Sequence, residues 1–374
     1  MRILLLSFFS IFLLMGKESL SSCDYDFKEE KHTANLSCLL NMKFDETDKS
    51  DLPYFKYSIS EDQPITYGIP ANQPISLPEY SNQNYSNMLK GLIEEKDDYI
   101  LFDLNKLQSN LKTLQDSISL NTSYLKKSGS EKVHGPDQRL IADPSIFPYN
   151  VTGKMRMHYR IGKNKFKVRG GTGILIEDKV VLTAGHCLYN HDSKLFPEFI
   201  EFCPGLSGAI TPYVAHVQKL IVHQEYFKAF HRKSDITKTT DIGLFLIDEP
   251  FGQQFGKAKV NTVDLKKPLE FIIAGYPGDK ESAEGEHKGQ FMWYAKSSEQ
   301  KGIELVDVAG KKRFKHLIDT YNGQSGAGIT YIEDTNKLYV CGVHTAGDNS
   351  YNYGVYIDEP LKQKIDNWVK ILTK

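Results

Sequence analysis

The sequence has almost no net charge, few cysteines and a single long apolar run. Its 46 basic and 47 acidic side chains give a formal net charge of −1 at pH 7. A chain without a basic excess has no electrostatic attraction to nucleic acid or to an anionic membrane. We therefore expect neither as a partner, and the motifs below require no cofactor and no metal. The apolar and aromatic content suits a globular core, and 374 residues suit two or three units.

The apolar run lies at the start of the chain, over residues 3–15, after Arg2 and before several small residues. This order is typical of a secretory signal peptide. A membrane anchor is the alternative, but the run is shorter than the ~20 residues that a spanning helix needs. We predict a signal peptide over residues 1–22 and a secreted, extracellular protein. Four Asn-X-Ser/Thr sequons agree with this and predict a glycoprotein; they begin at Asn35, Asn84, Asn121 and Asn150.

The five cysteines are an odd number, so at least one is free or intermolecular. Cys341 lies in an apolar strand pattern and is predicted to be a buried free thiol. Cys23 and Cys38 would close a small loop. Cys187 with Cys203 would tie the turn that contains His186 to the next strand.

Residues 23–132 are polar, charged and interrupted by prolines, which indicates irregular backbone. One apolar stripe predicts a helix that docks on the neighbouring domain, with Asp103 as a possible N-cap. The stripe consists of Leu104, Leu107, Leu111, Leu114 and Ile118. Residues 126–132 form a basic, flexible linker of the kind that is processed by proteolysis.

From residue 133 onward, short runs rich in Val, Ile, Tyr and Phe alternate with Gly, Asn and Asp turns. This pattern predicts an all-β sandwich or barrel. The last segment, residues 359–372, places its apolar side chains on one face and predicts an amphipathic helix. Those side chains are Leu361, Ile365, Trp368, Val369 and Leu372.

Three motifs carry chemistry. His186 follows a β-branched run in a small-residue turn, Asp241 opens an apolar strand, and Ser325 lies among glycines. A serine hydroxyl is a nucleophile only beside a base, and the base needs an orienting acceptor. The chain order His, Asp, Ser is that of the chymotrypsin-type triad. The N–H groups of Gly323 and Ser325 can converge on an oxyanion. The structural alternative treats the loop as flexible and the other two residues as core or turn residues.

Residues 133–374 resemble the glutamyl endopeptidases of the chymotrypsin-like serine protease clan. The resemblance rests on the stretches 183–189, 203–205, 275–280, 319–326 and 343–347. It implies a chymotrypsin-like double six-stranded β-barrel, all-β apart from the C-terminal helix over residues 359–372. The first barrel, about residues 150–250, would hold His186 and Asp241. The second, about residues 251–357, would hold Ser325.

The resemblance also implies cleavage after an acidic residue. A pocket for Lys or Arg needs a buried acid some six residues before the serine, and Asp319 stands there. The resemblance instead implies a pocket for an acidic side chain, in which the Thr320 hydroxyl donates to the substrate carboxylate and His344 forms the opposite wall. The alternative is that His344 is only a partly buried strand residue. The free N-terminus at Val133 would help to bind the acidic side chain.

Two departures from the family pattern stand out. Many relatives have a cysteine just before the Thr-Gly of the strand that precedes the histidine, where this chain has Gly170-Gly171-Thr172-Gly173. Cys187 lacks that partner, and the pairing with Cys203 is predicted in its place. Ala327 and Gly328 follow the serine motif where Ser and Pro are common.

The combined hypothesis is a secreted serine endopeptidase made as a zymogen. Residues 23–132 would be a mostly irregular or helical propeptide, and residues 133–374 the protease domain. Activation would occur by cleavage at or near Lys132–Val133. Protein or peptide substrates and a monomeric state are expected. The alternatives are the same fold with another specificity and an inactive protease-like binding module.

Overall fold

Strands that end at small or polar turns make up most of the computed structural model. It describes residues 92–113, 121–124, 131–162, 165–191, 194–229, 234–281, 287–298, 302–334 and 337–374, all within one compact unit. The predicted signal peptide, Cys23, Cys38, the sequons at Asn35 and Asn84, and most of the basic linker lie outside these residues.

The first sheet contains nine strands. They are β1 (Ile93–Glu95), β2 (Tyr99–Asp103), β3 (Asn121–Tyr124), β5 (Thr152–Gly162), β6 (Lys165–Leu175), β7 (Val180–Thr183), β8 (Phe199–Pro204), β9 (Ala215–His223) and β10 (Gly243–Ile247). Six of them close on themselves in the order β5-β6-β7-β10-β9-β8, because β8 pairs with both β9 and β5. This closed barrel holds the largest buried cluster.

The second sheet also contains nine strands. They are β4 (Leu140–Ile141), β11 (Lys259–Val260), β12 (Phe271–Gly275), β13 (Trp293–Lys296), β14 (Ile303–Val308), β15 (Lys311–His316), β16 (Gly328–Asp334), β17 (Lys337–Gly347) and β18 (Asn352–Tyr356). Their order is β14-β15-β18-β17-β16-β12-β13-β4, and β11 pairs with β17. A smaller apolar cluster fills this sheet.

Short helices connect the strands. They are α1 (Leu104–Thr113), α2 (Gly185–Leu188), α3 (Gln224–Lys228), α4 (Asp235–Thr240), α5 (Phe251–Phe255) and the longer α6 (Glu359–Leu372). Helix α6 begins at the Asp358 cap, whose Oδ1 accepts the Leu361 N–H at 2.9 Å. Four residues of its predicted apolar face are buried and the fifth, Val369, is half-buried. The predicted chymotrypsin-like fold with a C-terminal helix is confirmed.

Part of the segment before residue 133 belongs to the first sheet. Strand β2 pairs antiparallel with β9, and β3 pairs parallel with β6. Ile100, Phe102, Leu104 and Leu107 are completely buried in the barrel cluster. The ring of Phe102 stacks on Phe196 at 4.4 Å between centroids. These residues therefore add both strands and core to the barrel.

Candidate active site

His186 and Asp241 meet because their strands are neighbours. Strand β7 ends directly before the turn of His186, and β10 begins two residues after Asp241, with Gly243 opposite Thr183. One carboxylate oxygen of Asp241 accepts the backbone N–H of His186 at 2.7 Å. The other lies 2.8 Å from His186 Nδ1. A proton on Nδ1 leaves Nε2 as the acceptor, which is the tautomer that a general base needs.

Two glycines shape the loop of Ser325. Gly323 has φ +100° and Gly326 has φ +89°, values that side chains with a Cβ rarely adopt. A Cβ on Gly323 would lie 2.3 Å from Tyr276 O, and one on Gly326 would lie 2.2 Å from Thr172 O. The loop can therefore approach β6 and the strand end at Tyr276 only with glycine at both positions.

Thr172 of β6 ties this loop to the first barrel. Its N–H donates to Ser325 O at 2.9 Å, and its hydroxyl donates to Gly323 O at 2.7 Å. Cys187, next to His186, has its Sγ 3.6 Å from the same Ser325 oxygen. These contacts bring the serine loop of the second sheet to the histidine turn of the first. The sequence did not identify Thr172 as a functional residue. The available signal was a single threonine among the glycines of this strand.

The backbone hydrogen bonds of the serine loop involve three of its N–H groups. Gln324, Gly326 and Ala327 donate their N–H groups to Tyr321 O, His344 O and Gln324 O. Within the part of the chain that the structure describes, the N–H groups of Gly323 and Ser325 have no acceptor. These are the two groups that the sequence predicts for an oxyanion hole, and that role stays a prediction.

Thr320 and His344 are both completely buried. Among the described residues, neither Thr320 Oγ1 nor the ring nitrogens of His344 make a hydrogen bond of good geometry, although a weaker contact with the Tyr353 backbone favours the charged form of the His344 ring. Burial lowers the pKa of His344 well below its usual range, and the neighbouring His316 and His186 lower it further. At neutral pH the imidazole of His344 is therefore uncharged and offers one N–H. A buried hydroxyl and a buried imidazole that lack well-placed acceptors suit a ligand that brings its own acceptor atoms.

Asp319 is not available to a basic substrate side chain. It is completely buried, and its two carboxylate oxygens accept the backbone N–H groups of His134 and Gln138, each at 2.9 Å. A pocket for Lys or Arg would need this charge to face the substrate. Here it holds the segment that follows Val133.

The same segment is anchored by a buried arginine. The side chain of Arg139 is 1% exposed and forks between Asp137 and Asp279, with its shortest contact at 2.5 Å to Asp279. Burial on its own would raise the pKa of Asp137, but hydrogen bonds from Arg139 and Lys280 lower it below its usual range. Asp279 and Lys280 belong to one of the stretches that carried the resemblance. They bind Arg139 and Asp137 and so hold this segment in place.

Val133 lies between two fixed points. The preceding Lys132 is held by Asn352, which accepts its N–H at 3.1 Å and donates to its carbonyl at 2.7 Å. The following His134 is held by Asp319. Val133 therefore lies between a residue held by Asn352 and a residue held by Asp319, the neighbour of Thr320 in the sequence. Asn352 was not predicted, since a single asparagine in a strand gives no signal of such a contact.

The predicted disulfide between Cys187 and Cys203 is wrong. Both cysteines are buried free thiols. Cys187 lies in the barrel cluster against the serine loop. Cys203 lies on β8 and packs in a separate cluster with Leu206 and Tyr276. The two side chains therefore belong to different apolar clusters. Cys341 is buried and free, as predicted.

Gly171→Cys is expected to form a disulfide with Cys187. A Cβ at Gly171 would lie 3.1 Å from Cys187 Sγ, close to the about 3 Å that an S–S bond of about 2.05 Å requires. Closing a loop of this length stabilises a protein by about 3 kcal/mol where the geometry is unstrained. Loss of a thiol on non-reducing peptide mapping and a higher melting temperature would check this. Gly170→Cys, on the other side of the strand, is the matched control. Free thiols at both residue 171 and Cys187 in oxidised Gly171→Cys would contradict the expectation, whereas Cys203 and Cys341 stay free in either case.

The comparisons with known proteins agree with this geometry. A family profile described as Trypsin matches residues 154–369. The chain belongs to the trypsin family. Over 207 residues it is 28% identical to a glutamyl endopeptidase of Bacillus licheniformis, covering 53% of this chain and 58% of that protein. Over 267 residues it is 26% identical to a protein of Bacillus subtilis (strain 168) named extracellular metalloprotease, covering 70% and 73%.

A solved structure of a Glu endopeptidase in complex with MPD shares the fold. Its TM-score is 0.50 at 24% identity, and the match covers 63% of this chain and 98% of that one. As a glutamyl-endopeptidase-like member of the trypsin family, the protein is a serine endopeptidase that acts on protein or peptide substrates. In the described ranges, no helix is long and apolar enough to cross a membrane. The same ranges contain no cluster of three or more side chains placed to ligate a metal ion.

Proposed function

We propose that this trypsin-family protein is a secreted endopeptidase, made as a zymogen, that cleaves peptide bonds after Glu, or after Asp. One observation carries the acidic preference. Thr320 and His344, which the resemblance assigns to the pocket beside Ser325, are buried and lack well-placed hydrogen-bond partners, while backbone N–H groups already hold the acid at Asp319. Such a pocket suits a carboxylate and has no exposed anion for Lys or Arg.

The proposed reaction passes through an acyl-enzyme. His186 Nε2 removes the proton of Ser325 Oγ as that oxygen bonds to the scissile carbonyl carbon. The resulting oxyanion accepts hydrogen bonds from the N–H groups of Gly323 and Ser325. The C–N bond then breaks, and His186 gives its proton to the leaving amine. Water adds to the acyl carbon by the same steps, releases the acid and restores the serine. Asp241 stabilises the imidazolium throughout by holding Nδ1–H.

The substrate carboxylate would accept from the Thr320 hydroxyl and from the N–H of His344. Since His344 is uncharged, these two residues supply hydrogen bonds and no net charge. In the proposed scheme the missing cation is the α-ammonium of Val133, which exists only after cleavage at Lys132–Val133. A chain with an uncut Val133 would therefore bind acidic substrates poorly.

The remaining parts of the proposal concern processing. Residues 1–22 would be removed as a signal peptide, residues 23–132 would form the propeptide, and residues 133–374 the protease domain. We propose a monomer outside the cell, without a membrane or nucleic-acid partner. A mature chain that begins at Val133 would keep Arg139 and the contacts of residues 134–138 with Asp319.

Substrate preference tests this function. In matched peptides that differ only before the scissile bond, Glu is expected to exceed Gln in kcat/KM by about 10- to 100-fold. The reason is that a hydrogen bond to a charged group contributes about 1.5–3 kcal/mol. His344→Ala should reduce this ratio more than it reduces turnover of the Gln peptide.

His216→Ala is the matched control. His216 lies on β9 with an exposed side chain beside Asp248, remote from the pocket, and its loss should leave the Glu-to-Gln ratio unchanged. Equal cleavage after Glu and Leu by the wild-type enzyme would contradict the pocket assignment.

A further inference from the structure

Glu131, two residues before the proposed new N-terminus, lies against Ser325 and His344. Its side chain is almost completely buried, with 3% of the residue exposed. The hydroxyl of Ser325 donates to Glu131 Oε1. The same carboxylate oxygen lies 3.9 Å from His344 Nε2. A carboxylate of the chain itself therefore touches the nucleophile and faces the wall that would recognise an acidic substrate.

The backbone around Glu131 is held as firmly as its side chain. Asn352 is completely buried and binds both the N–H and the carbonyl of Lys132. It also donates to Ile318 O at 3.0 Å. Two residues further on, His134 donates to Asp319. Asn352 and Asp319 thus hold the backbone of segment 131–134, and the carboxylate of Glu131, its first residue, lies at Ser325.

We propose that Glu131 is an intramolecular ligand of the acid pocket, which blocks the uncut chain until Lys132–Val133 is cleaved. The inference rests on the proposed function, because it takes the Thr320–His344 pocket as the binding site for an acidic side chain. A buried carboxylate is stable only where donors meet it. Ser325 supplies one donor, and the pocket is built for a carboxylate.

This ligand blocks the enzyme in two ways. It occupies the space that a substrate side chain must enter. It also accepts the hydrogen bond of the Ser325 hydroxyl, which must instead donate to His186 for catalysis. While Glu131 is joined to Val133, the contacts of residues 132–138 keep it at a high effective concentration in the pocket. Cleavage at Lys132–Val133 breaks that link, so substrate then competes with a ligand that the covalent chain no longer holds.

The rate at which a fluorophosphonate labels Ser325 in the uncut full chain tests the proposal. Uncut and cut forms separate by mass on a gel, so the uncut band is read alone. Glu131→Ala is expected to label about 10- to 100-fold faster than wild type, which corresponds to about 1.4–2.8 kcal/mol at 1.4 kcal/mol per factor of ten. Glu131→Gln keeps the size of the side chain and should also label faster, since it removes the charge.

Glu94→Gln is the matched control. Glu94 lies on β1, in the same segment before residue 133, and forms an exposed ion pair with Lys96. Its substitution removes one acidic charge remote from the pocket and should leave the labelling rate unchanged. After cleavage at Lys132–Val133, all variants contain the same residues 133–374 beside Ser325. Once the cleaved segment before Val133 has been removed, for example by unfolding and refolding of the purified mature chain, these forms should therefore label at equal rates.

Two results would separate the proposals. If uncut Glu131→Ala and Glu131→Gln label no faster than uncut wild type while the cut forms are active, the role of Glu131 is overturned and the proposed function stands. If the cut wild-type enzyme neither labels nor hydrolyses Glu peptides, the proposed function falls, and the role of Glu131 falls with it. Glu131→Gln decides the question should Glu131→Ala fail to fold.

Discussion

Asp241→Asn is expected to lower kcat on a Glu peptide by about 10⁴, the cost of reversing the histidine tautomer in a Ser-His-Asp triad. Asp241 accepts hydrogen bonds from the backbone N–H and from the Nδ1–H of His186. An amide can present its NH₂ group to Nδ1, which places the ring proton on Nε2. The ring then has no lone pair for the proton of Ser325. Steady-state kinetics on the cut enzyme would measure the loss.

Asp248→Asn is the control for this substitution. Asp248 forms a second His–Asp contact in the same barrel, with His216 Nδ1 at 3.4 Å, but this pair is largely exposed and lies outside the site. Its substitution should leave kcat unchanged. Ser325→Ala should abolish hydrolysis with an unchanged melting temperature. Normal turnover in purified Ser325→Ala would remove Ser325 from the mechanism.

The fold and the position of the motifs could be predicted because they depend on local patterns. A β-branched run that ends in a small-residue turn places His186 at the end of β7, and an apolar run places Asp241 two residues before β10. The face of helix α6 follows from the spacing of its apolar residues. Each of these signals lies within about ten neighbouring residues, which is the range that periodicity can report.

The contacts that were not predicted join residues far apart in sequence. Glu131 and Ser325 are separated by 194 positions, and His134 and Asp319 by 185. No local pattern fixes which buried acid such a segment will meet. The disulfide failed for the same reason. The spacing of Cys187 and Cys203 gives no information on whether their side chains face the same cluster.

The polar composition of residues 92–113 gave no indication that they pair with β9 and pack in the barrel. Strand β1 has only three residues, two of them acidic, and it precedes a charged turn. A short polar hairpin resembles irregular chain until its partner is known, since strand propensity depends on packing against neighbours. Pairing with β9 and burial of Phe102 supply that context here.

A form of the enzyme that begins at Val133 is expected to cleave Glu peptides at least about 10-fold faster than a form that begins at Lys132. The α-ammonium of Val133 adds a cation beside the pocket, and a charge-assisted hydrogen bond contributes about 1.5–3 kcal/mol. One extra residue converts that nitrogen into a neutral amide. It also returns Lys132 to its contacts with Asn352. Both forms should still label at Ser325, which separates recognition from chemistry.

The pH dependence gives this expectation a sign. An α-amino group has an ordinary pKa of about 7.7–8.0, so its charge is present below that range and is lost as the pH rises through it. The Glu-to-Gln ratio of the Val133 form should therefore fall between about pH 7 and pH 9. The ratio of the Lys132 form should change little, since its added amine is displaced by one residue. A flat ratio in both forms, or an active secreted enzyme that still carries residues 23–132 uncut, would contradict a role for the new N-terminus.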